Sequence, residues 1–472
     1  MCTSTLVDQG GVVNRSTLRL DAGPVRVHVV GVGGAGMSAI AAVLAAMGHQ
    51  VTGSDVKDTP ILDRLRRLGV GVAVGHDAAH VADCDVVTVS TAVPSTNPEI
   101  AAARRAGVPV LHRSEMLAAI ASLRRCLAVS GTHGKTTTAS MVALALVEAG
   151  LRPSFLIGGD VNEIGTNAVW DTGEWLVVEA DESDGTFLAL APEIAVVTNV
   201  EADHLDHYGS FDALRQAFGS FLAGAAATVV GGDDPVAAEL GRAAGSVLVG
   251  TAPGCDYVVT QVRPGRSAIS FDLSGPPGAG IVPVHLAVPG LHNARNAAVA
   301  VAAAAAVGVP VAEAARALAR FAGVARRFEF RGEAHGVTFV DDYAHLPTEV
   351  AAALDAAASG GWRRVVAVFQ PHRYSRTAAL WRAFGPAFER ADIVVVTDVF
   401  GAGEEPVPGI TGRLVAEAVQ EASPGTPVVF VDDRAELRRT IVELLEAGDL
   451  CCTLGAGDLT SLPDELLEDL TR

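Results

Sequence analysis

Two strand-to-helix junctions rich in glycine, Gly31-Val32-Gly33-Gly34-Ala35-Gly36 and Gly131-Thr132-His133-Gly134-Lys135-Thr136-Thr137, stand about 100 residues apart in this 472-residue chain. Each follows a strand-like run (Val25 to Val30, Cys126 to Ser130) and precedes a helical one (Met37 to Met47, then on to about Gly150). The two turns differ in design, so the second opens a new sheet rather than repeating the first. At roughly 150 residues per domain the length allows about three domains, more than one hydrophobic core organises. A composition of 49% hydrophobic, 19% charged and 5% aromatic residues with 50 Gly fits globular α/β architecture rather than disorder or a coiled coil.

Further βα signals divide the chain. Strand-like Asp85 to Ser90, helical Pro98 to Ala106 and strand-like Val108 to Leu111 complete a first, Rossmann-type domain over 25–122, behind a polar, aperiodic tail, 1–24, expected to be mobile. Trp175 to Glu179 and Ile194 to Thr198 read as strands of a parallel sheet buried on both faces, and the alanine-rich run Ala294 to Val307 as the helix closing a domain over 123–325. A third domain, 326–472, shows strand-like runs at Val337 to Val340, Arg364 to Phe369, Ile393 to Thr397 and Val428 to Val431.

Thirty-five Lys plus Arg against 54 Asp plus Glu give a formal charge of −19, which weighs against nucleic acid and anionic membranes as partners. Six cysteines without C-x-x-C spacing match a reducing compartment, and no leader or membrane span is apparent, so a cytoplasmic location is expected.

The second glycine turn carries the most chemistry. Its backbone N–H groups converge on phosphate oxygens, the helix adds its positive end, Lys135 neutralises the outer phosphates and a Thr hydroxyl reaches Mg²⁺. It is a shortened P-loop, since Val129 stands where the first Gly of G-x-x-x-x-G-K-[ST] belongs. Only Lys57 and Lys135 are lysines, which weighs against a plain solvated lysine at this turn. The first turn fits a pyrophosphate, with Asp55 placed for a ribose hydroxyl; a nucleotide sugar, a dinucleotide or a purely structural turn all satisfy that pattern.

Carboxylates in Glu179-Ala180-Asp181-Glu182-Ser183-Asp184 follow a strand, where Mg²⁺ and phosphates bind in α/β sheets, although a solvated acidic turn reads the same way. Asn199 to His207 ends another strand with two histidines and three acids, matching metal contact or helix capping. His292-Asn293-Ala294-Arg295-Asn296 opens a helix, where Asn293 also suits a cap. Asp341-Asp342-Tyr343-Ala344-His345 and Gln370-Pro371-His372-Arg373-Tyr374-Ser375-Arg376 follow strands, and their Arg and His suit a carboxylate or phosphate as well as plain surface charge.

Together with Arg326-Arg327-Phe328, Pro347-Thr348-Glu349 and Gly455-Ala456-Gly457-Asp458, these segments resemble the Mur ligase family, in order, from about residue 25 to 460. The resemblance implies an α/β fold of three domains: a Rossmann-like N-terminal domain for a UDP-sugar, a central P-loop ATPase-type domain, and a C-terminal Rossmann-like domain for an amino acid. It implies ATP-dependent ligation of L-alanine to the lactyl carboxylate of UDP-N-acetylmuramate through an acyl phosphate, by a monomer or weak homodimer. Gly31, Gly33, Gly34, Gly36, Met37, Ser38 and Asp55 then belong to the UDP-sugar site. Gly131, Thr132, His133, Gly134, Lys135, Thr136 and Thr137, with Asn293 and Asn296, belong to ATP. Thr136, Glu179 and His204 are the expected ligands for Mg²⁺, with Mn²⁺ possible, and Lys135, Glu179, His204, Arg327, His345, His372 and Arg376 the expected catalytic set.

Two departures qualify the carry-over. Relatives commonly read Asp-Asp-Tyr-Gly-His-His-Pro-Thr-Glu where this chain has Ala344, His345 and Leu346, so no role transfers to the second His. No lysine follows Lys135, so the carbamylated lysine of several sister ligases has no counterpart. A ligase recycling a tripeptide onto the same UDP-sugar is the nearest alternative. An NAD-dependent dehydrogenase would use Gly31 to Asp55 but leave Lys135 and Glu179 idle, and a non-enzymatic nucleotide-binding regulator would release no ADP.

Overall fold

The computed structural model describes residues 18–276 and 280–471. Of the expected mobile tail, 1–17 lies outside the described residues, while 18–24 makes a turn that buries Leu20. The chain divides into two compact units. One comprises the described residues through Ala128, with Arg152–Gly158 and Asn167–Glu193; the other comprises Val129–Leu151, Gly159–Thr166 and the described residues from Ile194 onward.

In the first unit five parallel strands lie in the order Gly71–Val74, Gln50–Asp55, Arg26–Val30, Val86–Val89, Val110–His112. The first strand in sequence sits in the middle, so the winding reverses on either side of it and the turn leaving Val30 opens at the reversal point, where such sheets bind ligands. Val27, Val29, Val30, Val86 and Val87 are buried, as strands covered on both faces require. Trp175–Glu179 runs parallel to Ser154–Val161 in register Ser154↔Leu176, which brings Glu179 to a strand end.

In the second unit the expected strand Ile194–Val197 is parallel to Ala227–Gly231, and that to Val247–Gly250, two strands beyond those the sequence reading named. The sheet then turns antiparallel through Tyr257–Pro264, Ile269–Ser274 and Ile281–Leu286, a correction to the purely parallel reading. The third strand of that meander alternates exposed and buried side chains, as an edge with one solvated face does. Lys135–Glu148 packs on the alanine-rich helix Leu291–Val307, whose small side chains permit close approach. That helix does not close the fold, because Val311–Leu318 follows and packs on both.

The same unit holds a six-stranded sheet in the order Glu329–Ala334, Val337–Asp342, Leu450–Leu454, Val365–Phe369, Ile393–Val396, Val428–Phe430, with the first strand antiparallel and the rest parallel. Its buried strand Leu450–Leu454 aligns Asp341 with Thr453 and Asp342 with Leu454, so both acids reach the sheet's C-terminal edge. Among the described residues no helix is long and apolar enough to cross a membrane, and the cysteines Cys84, Cys126, Cys255, Cys451 and Cys452 are free.

Candidate active site

The P-loop is held open by its own strand neighbours. Gly131 has φ +130°, and a Cβ there would lie 2.9 Å from Thr198 N; Gly134 has φ +76°, and a Cβ there would lie 2.6 Å from Asn296 Oδ1. Both positions therefore need glycine for conformation and for space. His133 N donates to Asn199 Oδ1 at 2.8 Å, while its carbonyl accepts from Thr198 Oγ1 at 2.5 Å and Asn199 Nδ2 at 3.0 Å. Lys135 opens the helix, and its Nζ donates to Gly131 O at 2.6 Å and Thr132 O at 3.2 Å. Thr136 and Thr137 lie in the helix's first turn.

A cavity of about 360 Å³ borders this loop, lined on one side by His133, Gly134 and Thr137 and on the other by His292, Asn293, Arg295 and Asn296, with Arg327, Thr348 and Glu349 closing it. Asn293 does not cap the helix, whose N-cap is Gly290; its Nδ2 donates to Pro289 O at 2.7 Å, and Asn296 abuts Gly134. Arg295 pairs with Asp233 at 2.6 Å. Burial, with Arg327 and Arg295 nearby, holds His292 down at about 4. Burial lifts Asp342 to about 6 against Arg327 and the backbone donors of Ala344 and Phe328, both at 2.8 Å.

The P-loop histidine has a second role that the motif did not signal. Its ring lies between carboxylates, Nε2 at 3.1 Å from Glu201 and Nδ1 at 3.2 Å from Glu349. Burial alone would lower its pKa, but the two carboxylates outweigh burial and raise it to about 9. Glu349 also accepts from the backbone of His345 at 2.9 Å and Leu346 at 3.2 Å, and lies 3.8 Å from Arg327. Burial would push this carboxyl up, yet His345, His133 and Arg327 hold it well below the ordinary range.

Around the other expected residues, Arg376 is buried, with Nη2 3.4 Å from Asp203 and Nη1 3.2 Å from His372 Nδ1; its Nε has no hydrogen-bond partner among the described residues. His372 stacks on Phe400 and lies 5.9 Å from the His345 ring. Burial, then His345, Arg376 and Arg373, hold His372 at about 4, while burial with Arg376 and Arg327 also lowers His345 against the pull of Glu349. His204 adopts φ +55°, with Nε2 3.2 Å from Asp203 Oδ2. Asp203 would be raised by burial, but Arg376 and His204 bring it down.

In the first unit Asp55 faces the glycine turn, accepting from Gly33 N at 2.9 Å. Met37 is buried, and Ser38 bonds within its helix to Ala35 O at 2.9 Å. Gly36 lies against Arg113, a Cβ there falling 3.2 Å from Nη1; the guanidinium reaches Asp181 at 3.1 Å and Asp184 at 2.9 Å. Glu179 accepts from Gly158 N at 2.6 Å. Arg113, Glu201, Asp203 and Glu349 are absent from the expected site set. For Glu349 the available signal was Pro347-Thr348-Glu349 at a helix start, which reads equally as a capping box.

Three family models match in succession: Mur ligase family, catalytic domain, over 26–125; Mur ligase middle domain over 129–304; and Mur ligase, glutamate ligase domain, over 326–457. The chain is 46% identical over 451 residues to a UDP-N-acetylmuramate--L-alanine ligase of Rubrobacter xylanophilus, covering 94% of this chain and 100% of the relative. It is 48% identical over 463 residues to the one of Kineococcus radiotolerans, covering 95% and 96%. Its fold matches the crystal structure of UDP-N-acetylmuramate-alanine ligase from Thermotoga maritima with TM-score 0.81 and 30% identity, covering 95% and 99%. A murein peptide ligase of Psychrobacter arcticus matches with TM-score 0.69 and 26% identity, covering 94% and 98%.

Proposed function

The chain belongs to the Mur ligase family, and we propose that it joins L-alanine to the lactyl carboxylate of UDP-N-acetylmuramate in peptidoglycan precursor synthesis, with ATP converted to ADP and phosphate. The γ-phosphoryl passes to the carboxylate, the alanine amine attacks the resulting acyl carbon, and phosphate leaves as the amine loses its proton. The observation carrying this reading is 46% identity over 94% of the chain to a relative of that name.

The residues support the chemistry. Phosphoryl transfer needs positioning and charge neutralisation, and the cavity is lined by P-loop residues His133, Gly134 and Thr137, the helix N-terminus at Asn293 and Asn296, and Arg327, with Lys135 opening the P-loop helix. Thr136 carries an oxygen donor of the kind Mg²⁺ prefers and His204 a nitrogen that Mn²⁺ accepts, so these would hold a metal, which would supply positive charge to phosphoryl oxygens. Burial and the neighbouring cations hold His372 at about 4, so its imidazole is neutral near pH 7, with the His345 ring beside it. Arg376 retains an unpartnered Nε–H beside them, a donor suited to the amino acid's carboxylate.

Phosphate release in the presence of ATP and UDP-N-acetylmuramate, compared across L-alanine, glycine, L-serine and the murein tripeptide, tests the reading. Preference for L-alanine supports it; preference for the tripeptide moves the chain to the recycling ligase, and no stimulated release by any acceptor overturns ligation.

A further inference from the structure

Far in sequence from the P-loop, the first unit encloses three histidines around one carboxylate. Glu99 is fully buried near the start of the helix Pro98–Ala106. Its Oε1 lies 2.6 Å from His80 Nδ1 and 3.4 Å from His28 Nε2, and its Oε2 lies 2.9 Å from His76 Nδ1 and 2.7 Å from Ser54 Oγ. His28 comes from the central strand and is 1% exposed; His80 comes from a short 3₁₀ turn and keeps an exposed edge. The chain thus gathers from three elements a group with no place in the proposed reaction.

We propose that His28 Nε2, His80 Nδ1 and Glu99 Oε1 form a zinc site that ties these three elements together. The three atoms lie within 4.8 Å of one another, and theirs is the one such group of donors among the described residues. A tetrahedral zinc with bonds of about 2.0–2.1 Å spaces its ligands about 3.3 Å apart, so the His28–Glu99 separation of 3.4 Å already suits it, while the 2.6 Å His80–Glu99 contact has to open. Two imidazoles and one carboxylate make a common zinc donor set with a fourth position left for water, which the exposed edge of His80 admits.

The surrounding contacts hold the ligands in place. His28 Nδ1 lies 2.8 Å from Thr52 Oγ1, so with its proton on Nδ1 and donated there, the ring turns a lone pair at Nε2 toward Glu99. Nε2 has no hydrogen bond of good geometry among the described residues, although it is buried. Ser54 and His76 engage the carboxylate oxygen that the ion does not need. Ser54 directly precedes Asp55, whose carboxylate holds the Gly33 N–H, so zinc would stiffen the base of the first glycine turn.

The test compares full-length wild type, His80→Asn, His28→Gln and His204→Ala, each stripped with chelator, reloaded with Zn²⁺ or Co²⁺ and desalted. Asn carries its amide nitrogen near the position of Nδ1, so His80→Asn keeps a hydrogen bond to Glu99 while losing the ligand. The wild type and His204→Ala should retain one zinc per chain and show the intense visible bands of low-symmetry Co²⁺, distinct from the weak bands of an octahedral oxygen site. His80→Asn and His28→Gln should bind zinc at least tenfold more weakly, and zinc should raise the melting temperature only of the first pair. A wild type that desalts free of zinc, or a His80→Asn protein retaining as much, overturns the site. If one histidine variant fails to fold, the other and the wild-type cobalt spectrum decide. Ligase activity does not enter these readouts, so failure here leaves the proposed reaction standing.

Discussion

Replacing His133 by Asn removes the one cation that the P-loop places between Glu201 and Glu349, at 3.1 and 3.2 Å. An imidazole that titrates near 6.5 when unfolded and at about 9 when folded favours the folded state by about 3.5 kcal/mol, at about 1.4 kcal/mol for each of about 2.5 pH units. Because the folded pKa is the higher one, that contribution is fully present below about pH 6.5 and is lost as pH rises through about 9. Asn does not titrate and cannot serve both carboxylates at once. The assay is denaturant unfolding of wild type and His133→Asn followed by circular dichroism, from about pH 6.5 to 9.5, comparing the same transition in each since a chain of several domains need not unfold in one step. The wild-type advantage should be greatest at the low end and shrink by about 3 kcal/mol across the range. A gap that stays constant, or widens with pH, would show that the ring is not a buried imidazolium and refute the reasoning.

Lys135→Ala should lower turnover on the order of 10² or more, comparable to losing one preorganised charged donor, while calorimetric binding of UDP-N-acetylmuramate survives; near-normal turnover would remove the P-loop lysine from the mechanism. Arg376→Lys should raise KM for L-alanine far more than KM for ATP, because an ammonium cannot reproduce the guanidinium fork, and equal effects would count against that role. His204→Ala should need much more Mg²⁺ or Mn²⁺ for half-maximal rate if the imidazole ligates metal; unchanged half-saturation with reduced turnover would leave it only hydrogen-bonding nearby.

What the sequence made legible follows from locality. Both glycine turns, the helix after each and the parallel strands before them are written in runs of fewer than 20 residues, and the structure has them at Arg26–Val30, Ala35–Ala46, Arg125–Ser130 and Lys135–Glu148. Leu450–Leu454 escaped notice because a five-residue apolar run carries no period of its own, and its partners Val337–Asp342 and Val365–Phe369 are remote in sequence. The antiparallel meander from Tyr257 to Leu286 was missed for a related reason: strand direction is set by connections, and residue types along Tyr257–Pro264 do not encode it. At the site, individual motifs single out Lys135, Asn296 and Arg327, whereas Glu349 reads as a helix cap, and it is one. Its other duty appears only when the fold brings His133 to it from more than 200 residues away.

That double duty bears on how phosphate chemistry and acceptor chemistry share one site. Glu349 Oε1 faces His133 and Arg327, which border the cavity beside the P-loop, whereas Oε2 takes the backbone N–H groups of His345 and Leu346. His345 in turn lies against His372, and His372 against Arg376, whose other partner is Asp203 next to His204. A chain of contacts therefore runs from the P-loop to the candidate metal ligand through residues that sequence places in two different domains. A buried charge is tolerable only while its counter-charges stay in place, so the ionised Glu349 requires His133 and Arg327 to remain near it. Substitution at any one of these groups should therefore be felt at the others, and pairs such as His133 and Arg327 should show non-additive effects on turnover in a double-mutant cycle, as groups sharing one partner do.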